Sequence, residues 1–248
     1  MGKRPRILMV TPLPPPVNGN ALVNQKIKDS PLMNETFNMD WVNISTSGNL
    51  AEYHKIGIKK ICRYIHALAR MLKLLILNRY DFCYFALTYS GVGFLKDAAF
   101  PLICKLFRHK LVFHQHNLGI KNYANKFPYK QLYSIIYKNA KVIVLSEFGC
   151  SDIEKVAQRT QAVVCLNGID NIEIKPRQEY NGPVRLLFLS NLFAHKGIFV
   201  LLDALKILKE RGVEFVCNVV GQETKYTSKD EFEDSIVKHG LSTSCGGG

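Results

Sequence analysis

Short apolar runs alternate along the chain with longer segments in which apolar residues recur every three or four positions. The runs have no helical period and predict strands over residues 6–10, 37–42, 82–86, 111–114, 141–145, 162–166, 185–189 and 215–220. The periodic segments predict the helices between them, among which residues 21–28, 58–78 and 93–107 are clear cases. Strands that alternate with helices are typical of parallel sheets, so we expect an α/β fold.

The most informative segment covers residues 185–221. A strand is followed by a loop, then by a helix that Lys196-Gly197 begins and Arg211-Gly212 ends, and then by a second strand. This is one βαβ unit. Lys196 stands where a helix N-terminus offers unpaired N–H groups and a partial positive charge, which favours a bound phosphate. The same pattern also fits an ordinary βαβ unit with a solvated surface lysine.

Polar loops follow several of the predicted strands. The loop after the first strand is rich in proline and ends in Asn18-Gly19-Asn20, where a glycine permits close approach of the backbone to a ligand. The fourth strand ends in His114-Gln115-His116-Asn117. Open α/β sheets bind ligands at the carboxyl ends of their strands, so these residues are candidates for a site. A plain turn and two histidines satisfied within a loop are the alternatives.

Composition limits the classes of protein. A chain of 248 residues with 47% hydrophobic residues fits one large or two small globular domains. The seven cysteines form no CxxC pair and no His/Cys metal spacing, which favours reduced thiols in a cytosolic protein without a metal site. No run reaches the ~18–20 apolar residues of a membrane-spanning helix.

Charge is distributed unevenly. Residues 1–168 hold 23 Lys and Arg against 9 Asp and Glu, a net charge of +14, whereas residues 169–248 hold 10 against 11, a net charge of −1. A basic first part favours a polyanionic partner, either a nucleic acid or an anionic membrane. No nucleic-acid recognition motif is present and the basic residues are scattered over many elements, so we expect no nucleic acid.

The helix over residues 58–78 is the most basic one. It carries an apolar stripe and, on its other faces, the cations Lys59, Lys60, Arg63, Arg70 and Lys73. A helix of this kind can lie on anionic lipid. A domain helix with a solvated basic face is the alternative interpretation.

The ordered signals resemble the retaining GT-B glycosyltransferases of family 4, also called group 1. The segment with Lys196-Gly197 is similar to the start of that family's second domain, and a VIVLS strand followed by Asn167-Gly168-Ile169-Asp170 resembles the end of its first domain. The resemblance implies a Rossmann-like domain over residues 1–170, a linker over 171–183, and an incomplete second Rossmann-like domain that binds a nucleotide-sugar over 184–248.

The chain departs from the family in two places. Ser190-Asn191 replaces the Gly-Arg pair of the family's diphosphate clamp, and the Glu-x7-Glu element and the last helix of the second domain are absent. We therefore expect a C-terminally truncated protein. The tail after Ser244, Cys-Gly-Gly-Gly, carries no structural signal of its own.

The resemblance implies transfer of a sugar from a UDP- or GDP-sugar to a saccharide or lipid-linked acceptor, without a metal, in the synthesis of cell-surface polysaccharide. It assigns catalysis to His116 and Lys196, the donor to Gly19, Asn191, Lys196 and Gly197, and the acceptor to Asn18, Asn20, His114 and Ser146. We expect a cytoplasmic protein, peripheral at the inner face of the membrane if the basic helix binds lipid. The alternative is an inactive remnant that binds a membrane or a protein partner.

Overall fold

A computed structural model describes residues 4–46, 57–169, 171, 173, 181–224, 226–242 and 245–247. The chain divides into two compact units, Met1–Asp170 and Asn171–Gly248. Most of the linker predicted over residues 171–183 lies outside the described residues, so the linker stays a prediction. The two units are described separately below.

The first unit is built on a parallel sheet of six strands in the order β2-β1-β3-β4-β5-β6. The strands are β1 (Arg6–Thr11), β2 (Asn38–Asn43), β3 (Phe82–Phe85), β4 (Leu111–Gln115), β5 (Lys141–Val144) and β6 (Ala162–Val164). The helices are α1 (Gly19–Asp29), α2 (Pro31–Thr36), α3 (Ile58–Leu77), α4 (Gly91–Asp97), α5 (Ala99–Leu106), α6 (Tyr129–Tyr137) and α7 (Glu147–Ile153). The α/β fold with parallel sheets, predicted from the sequence, is confirmed.

Apolar residues cover both faces of this sheet. On one face, Leu8, Val10, Phe85 and Phe113 belong to the large core that α3, α5, α6 and α7 close. On the other face, Ile7, Met9 and Tyr84 form a smaller cluster with partly buried residues such as Ile27 of α1. Central strands buried on both faces read as continuous apolar runs, which is why the sequence located them.

Two helices differ from the prediction. The helix expected over residues 93–107 is two helices, α4 and α5, that meet at Ala98. Pro101 lacks the N–H group that a continuous helix would direct to the carbonyl of Asp97. The first helix begins at Gly19 rather than at residue 21, because Asn18 caps it: its Oδ1 accepts a hydrogen bond from the N–H of Ala21 at 3.0 Å.

The second unit is a parallel sheet of three strands, β7 (Val184–Leu189), β8 (Phe215–Val220) and β9 (Cys245–Gly247), with the helices α8 (Ile198–Glu210) and α9 (Lys229–Lys238). Its core consists of Leu192, Ile198, Leu202, Leu205, Phe215, Cys217, Val219, Phe232, Ile236 and Leu241. Leu187 and Leu189 point to the opposite face of the sheet and are exposed. The Cys-Gly-Gly-Gly tail, which carries no structural signal in the sequence, supplies β9, because the backbone of Cys245–Gly247 pairs with the edge of β8 and needs no side chain to do so.

No helix in the described part of the chain combines the length and the apolar character that crossing a bilayer requires.

Candidate functional site

The carboxyl ends of β4 and β5 enclose a cavity in the first unit. Its volume is about 220 Å³, and its wall includes His116, Asn117, Ser146, Gly149 and Asp152. His116 and Asn117 follow β4 directly, and Ser146 precedes the first turn of α7. Parallel strands bring these loops to one edge of the sheet, so residues about 30 positions apart in sequence share one cavity.

The two histidines of this edge lie close together. Their ring centroids are 4.1 Å apart, and Tyr84 Oη is 2.6 Å from His114 Nδ1. His114 is buried and His116 is half-buried. Among the described residues, neither Nε2 atom has a hydrogen-bond partner although both atoms are buried. An unsatisfied buried nitrogen is costly, so these two atoms are available to a polar ligand.

Burial keeps both imidazoles neutral at physiological pH. It lowers the pKa of His114 to about 4, to which repulsion from a protonated His116 adds. Burial also lowers the pKa of His116. A neutral imidazole donates through one nitrogen and accepts through the other, which suits a hydroxyl group better than an anion.

Asp152 fixes the loop beside His116. Its buried carboxylate accepts hydrogen bonds from the backbone N–H groups of Gly119 and Ile120, each at 2.9 Å, and of Lys121 at 3.3 Å. Asp152 was not among the predicted site residues. Its partners are backbone N–H groups more than 30 positions earlier in the chain, so no sequence pattern indicates its role.

Gly149 of α7 lies against β5. A Cβ atom at this position would meet Val144 Cβ at 2.7 Å, so glycine allows the helix to approach the strand closely. Gln115 Nε2 donates to Tyr137 Oη on the same side of β4, which leaves Gln115 Oε1 without a partner among the described residues. Gln115 belongs to the polar cluster predicted at the end of the fourth strand, whereas Gly149 was not predicted as a site residue.

The residues after β1 serve mainly to hold their own loop. Asn18 caps α1, and Asn20 Oδ1 accepts from Asn24 Nδ2 at 2.8 Å. Asn24 Nδ2 also donates to the carbonyl of Pro12 at 3.1 Å. Gly19 lies in the open: no heavy atom of the described chain comes within 4 Å of the place where its Cβ would stand. Ser146 stands before α7, and within the described residues its side chain makes no capping bond.

Three of the four predicted donor residues, Asn191, Lys196 and Gly197, lie in the second unit, around the loop between β7 and α8, whereas Gly19 belongs to the first unit. Asn191 Oδ1 accepts from the backbone N–H of Gln222 at 3.1 Å, which ties the loop after β7 to the loop after β8. Gly221 lets these loops touch, because a Cβ there would lie 2.0 Å from the carbonyl oxygen of Ser190. Asn191 is therefore a structural residue of this loop, whatever else it binds.

Lys196 and Gly197 stand at the start of α8. The helix begins one residue later than predicted, at Ile198, since Gly197 adopts a left-handed conformation with φ of 86° and precedes the helix. No side chain caps this N-terminus within the described residues. Lys196 is exposed, and no described residue pairs with its ammonium group. The N-terminus of α8 therefore carries a cation and open N–H groups together.

The predicted cations of α3 are placed less uniformly. Lys59, Arg63, Arg70 and Lys73 are exposed, whereas Lys60 is half-buried. Arg63 donates to the carbonyl of Thr46 at 3.0 Å. Lys60 lies on the same face of the helix as the buried Ala67 and Met71, which is the face that packs against the core.

Neither a family model nor a curated protein matches the sequence. Solved structures do match it over nearly its whole length. A glycosyltransferase from Rickettsia africae ESF-5 superposes with a TM-score of 0.65 at 16% identity, over 100% of this chain and 68% of that chain. The chain has a GT-B fold.

Two further structures show the same GT-B fold. The Anabaena protein HepE, solved in complex with UDP, has a TM-score of 0.63 at 15% identity. The match covers 98% of this chain and 68% of the HepE chain. The lipopolysaccharide outer core galactosyltransferase WaaB has a TM-score of 0.59 at 10% identity, over 98% of this chain and 67% of that chain. At these identities the likeness establishes the GT-B fold, and it leaves the family 4 assignment a prediction.

Proposed function

We propose that this chain belongs to a glycosyltransferase that transfers a sugar from a nucleotide-diphosphate sugar to a saccharide or lipid-linked acceptor. The observation that carries the proposal is a GT-B fold along the whole chain that presents polar residues at two strand ends, one in each unit. HepE, which has this fold, was also solved with UDP-glucose. We propose a UDP- or GDP-sugar as the donor and cell-surface polysaccharide as the product.

In this proposal the second unit holds the donor diphosphate. Lys196 would neutralise charge on the departing diphosphate, and the N–H groups that follow Gly197 would bind its oxygens. Asn191 would contribute through Nδ2, because its Oδ1 already accepts from Gln222. A cation and a helix N-terminus supply the positive charge that a metal supplies in other transferases, so we propose donor binding without a metal.

In the first unit, His116 would contact the transferred sugar near the reacting carbon. The orientation of its ring is set by contact with His114, which Tyr84 in turn holds. Gly19 leaves room for a phosphate or sugar beside the start of α1. Asn18, Asn20, His114 and Ser146 would line the acceptor side. A neutral imidazole suits this role because it can donate to or accept from a sugar hydroxyl.

Calorimetric titration with UDP-, GDP- and ADP-sugars tests the proposal. We expect one nucleotide class to bind the wild-type chain and Lys196→Ala to weaken that binding by roughly tenfold to 100-fold, because a hydrogen bond between charged groups contributes about 1.5–3 kcal/mol. Lys206→Ala is the matched control. It removes the same charge from within α8, about 12 Å beyond the start of the helix, where Lys206 lies in an exposed ion pair with Glu210.

Equal loss in both variants would mean that any lysine of the helix contributes only general charge. Absence of binding to every nucleotide-sugar, with the protein folded by circular dichroism, would refute donor binding by this chain. The alternative, a non-catalytic module that binds membranes or a protein partner, would then be favoured.

A second proposal concerns location. We propose a cytoplasmic protein that is peripheral at the inner face of the membrane, with Lys59, Lys60, Arg63, Arg70 and Lys73 directed at anionic lipid. What supports it is that α3 carries these cations and no acidic residue. Each basic residue near such a surface contributes about 1 kcal/mol, and the attraction weakens with salt. Vesicle binding that falls steeply as salt rises is the expected result.

A further inference from the structure

Helix α3 carries two apolar stripes, and only one of them faces the protein. The inner stripe consists of Ala67, Met71 and Leu75, which are buried in the main core. The outer stripe is rotated from the inner one by about 110° around the helix axis and comprises Ile58, Ile61, Ile65, Leu72 and Ile76. Four of its members are 80%, 51%, 57% and 69% exposed (Ile58, Ile61, Ile65 and Ile76), and Leu72 is half-buried. Large apolar residues in one exposed row indicate a binding surface.

Cations occupy the sector of the helix next to this outer stripe. At about 100° per residue, the five members of the stripe lie within about 60° of the circumference, and Lys73, Lys59, Arg70 and Arg63 lie within a sector of about 80° that begins about 60° beyond it. Within the described residues, Lys59, Arg70 and Lys73 have no acidic partner. The exposed side of α3 therefore has an apolar sector and a cationic sector.

Acidic residues are also absent from the chain around this helix. Residues 57–80 contain no Asp or Glu, and residues 98–146 contain none either. Of the two acidic residues between these segments, Asp97 is buried beside Lys96, and Asp81 accepts a hydrogen bond from the N–H of Arg6. The patch thus combines apolar groups with positive charge and little negative charge.

The helix is held firmly enough to present this surface as a unit. The ring of Tyr64 packs edge-on against Phe100 of α5 at 5.5 Å, and its hydroxyl donates to the carbonyl of Lys96 at 2.7 Å. Cys104 Sγ lies 3.9 Å from Met71 Sδ. A helix of 20 residues is about 30 Å long, so the patch is a pre-formed amphipathic helix that needs no folding step to bind.

A protein partner would have to match an apolar row and a cationic row at once. A membrane matches both rows by its general composition. Its acyl chains form an apolar layer that can contact the isoleucines, and its headgroup phosphates carry negative charge that can pair with the cations. We propose that the outer stripe of α3 inserts into a bilayer that contains anionic lipid, with Arg63, Arg70 and Lys73 at the level of the lipid phosphates. This inference rests on the peripheral location proposed above and names the side chains that enter the apolar layer.

Vesicle flotation with the full chain tests the insertion. The vesicles are phosphatidylcholine alone or mixed with phosphatidylglycerol, at about 0.1 M and about 1 M salt, where screening lengths are about 10 Å and 3 Å. The double variant Ile61→Asn/Ile65→Asn should lower partitioning at least tenfold at both salt concentrations. Both positions are exposed, so folding should be retained. Arg70→Gln/Lys73→Gln should lower partitioning at low salt and leave the binding at high salt unchanged.

The matched control is Leu32→Asn/Val237→Asn. These residues are 72% and 65% exposed and lie on α2 and α9. The control should partition like the wild type. A direct reading of depth comes from Ile65→Trp in a Trp41→Phe background, since the chain has one tryptophan. Its fluorescence should be quenched by lipid brominated in the acyl chains.

The outcomes separate the two proposals. If the isoleucine variant binds like the wild type while the charge variant loses binding, the association is purely electrostatic, so insertion is refuted and the peripheral location stands. If the wild type binds no vesicle, both fail. A dimer in sedimentation equilibrium that Ile61→Asn/Ile65→Asn dissociates would assign the patch to a second copy and overturn insertion. Donor binding in the calorimeter is independent of all three results.

Discussion

Replacing Asp152 should destabilise the first unit more than replacing any exposed carboxylate. The carboxylate holds three backbone N–H groups of the loop next to His116, two of them at 2.9 Å. Each hydrogen bond to a charged group contributes about 1.5–3 kcal/mol, and part of this is regained when the loop relaxes. We therefore expect Asp152→Ala to lower the free energy of unfolding by roughly 4 kcal/mol. Asp152→Asn should cost roughly 2 kcal/mol, because the amide keeps one acceptor and loses the charge.

Urea unfolding followed by the fluorescence of Trp41 measures this loss. Trp41 is the chain's one tryptophan and lies in β2, so its signal reports on the first unit alone. With an m-value of about 1–3 kcal/mol/M, the expected loss moves the midpoint by more than about 1 M. Asp29→Ala is the control: Asp29 is exposed and, within the described part of the chain, accepts hydrogen bonds from Gln25 alone, so its loss should stay below about 0.5 kcal/mol. An effect of Asp152→Ala equal to that of Asp29→Ala would refute the anchoring role.

Two further predictions concern stability. The pKa of His114 is about 4 in the folded chain against 6.5 for the ordinary side chain. Between these values the unfolded chain binds more protons, so the free energy of unfolding falls by up to roughly 3 kcal/mol as pH falls from 6.5 to about 4. His114→Gln should flatten this pH dependence when unfolding is followed by Trp41 fluorescence, and an unchanged slope would contradict the prediction. Gly221→Ala should destabilise the second unit by about 3 kcal/mol, because its Cβ would overlap the Ser190 carbonyl. Amide hydrogen exchange of α8 should accelerate in this variant. Gly168→Ala is the control and should leave the exchange rates unchanged, since no heavy atom of the described chain lies within 4 Å of its Cβ position.

The sequence predicted the strands well because the signal is local. A buried run such as Leu8 to Val10 reads as a strand without knowledge of its neighbours. The orientation of α3 could not be predicted in the same way. Its apolar residues fall on two stripes, and the spacing does not say which stripe packs on the sheet. Ile58 and Ile65 lie outside and Met71 lies inside, a choice that depends on α5 and on contacts with Phe100.

The candidate site follows the same division. Placement of His116 at a strand end could be predicted, since the carboxyl edge of a parallel sheet collects such residues. The role of Asp152 could not be predicted, because its partners are backbone N–H groups more than 30 positions earlier in the chain. Every residue except proline has a backbone N–H group, so the sequence does not indicate which of them bind a side chain. Whether His116 and Lys196 act on a substrate stays a prediction for the titrations above.

The contact between the loops after β7 and β8 has an evolutionary consequence. Asn191 Oδ1 bonds to the N–H of Gln222, and next to it the glycine at 221 touches Ser190. An arginine at position 191 has no acceptor oxygen, so a single substitution toward the Gly-Arg pair of family 4 would gain a cation and leave the Gln222 N–H unsatisfied. The cost is small, because this N–H is a backbone group of an exposed loop, where water can accept its hydrogen bond. A laboratory lineage that acquires the arginine should therefore exchange the link between the two loops for a cation, and the loop that follows β8 should become more mobile.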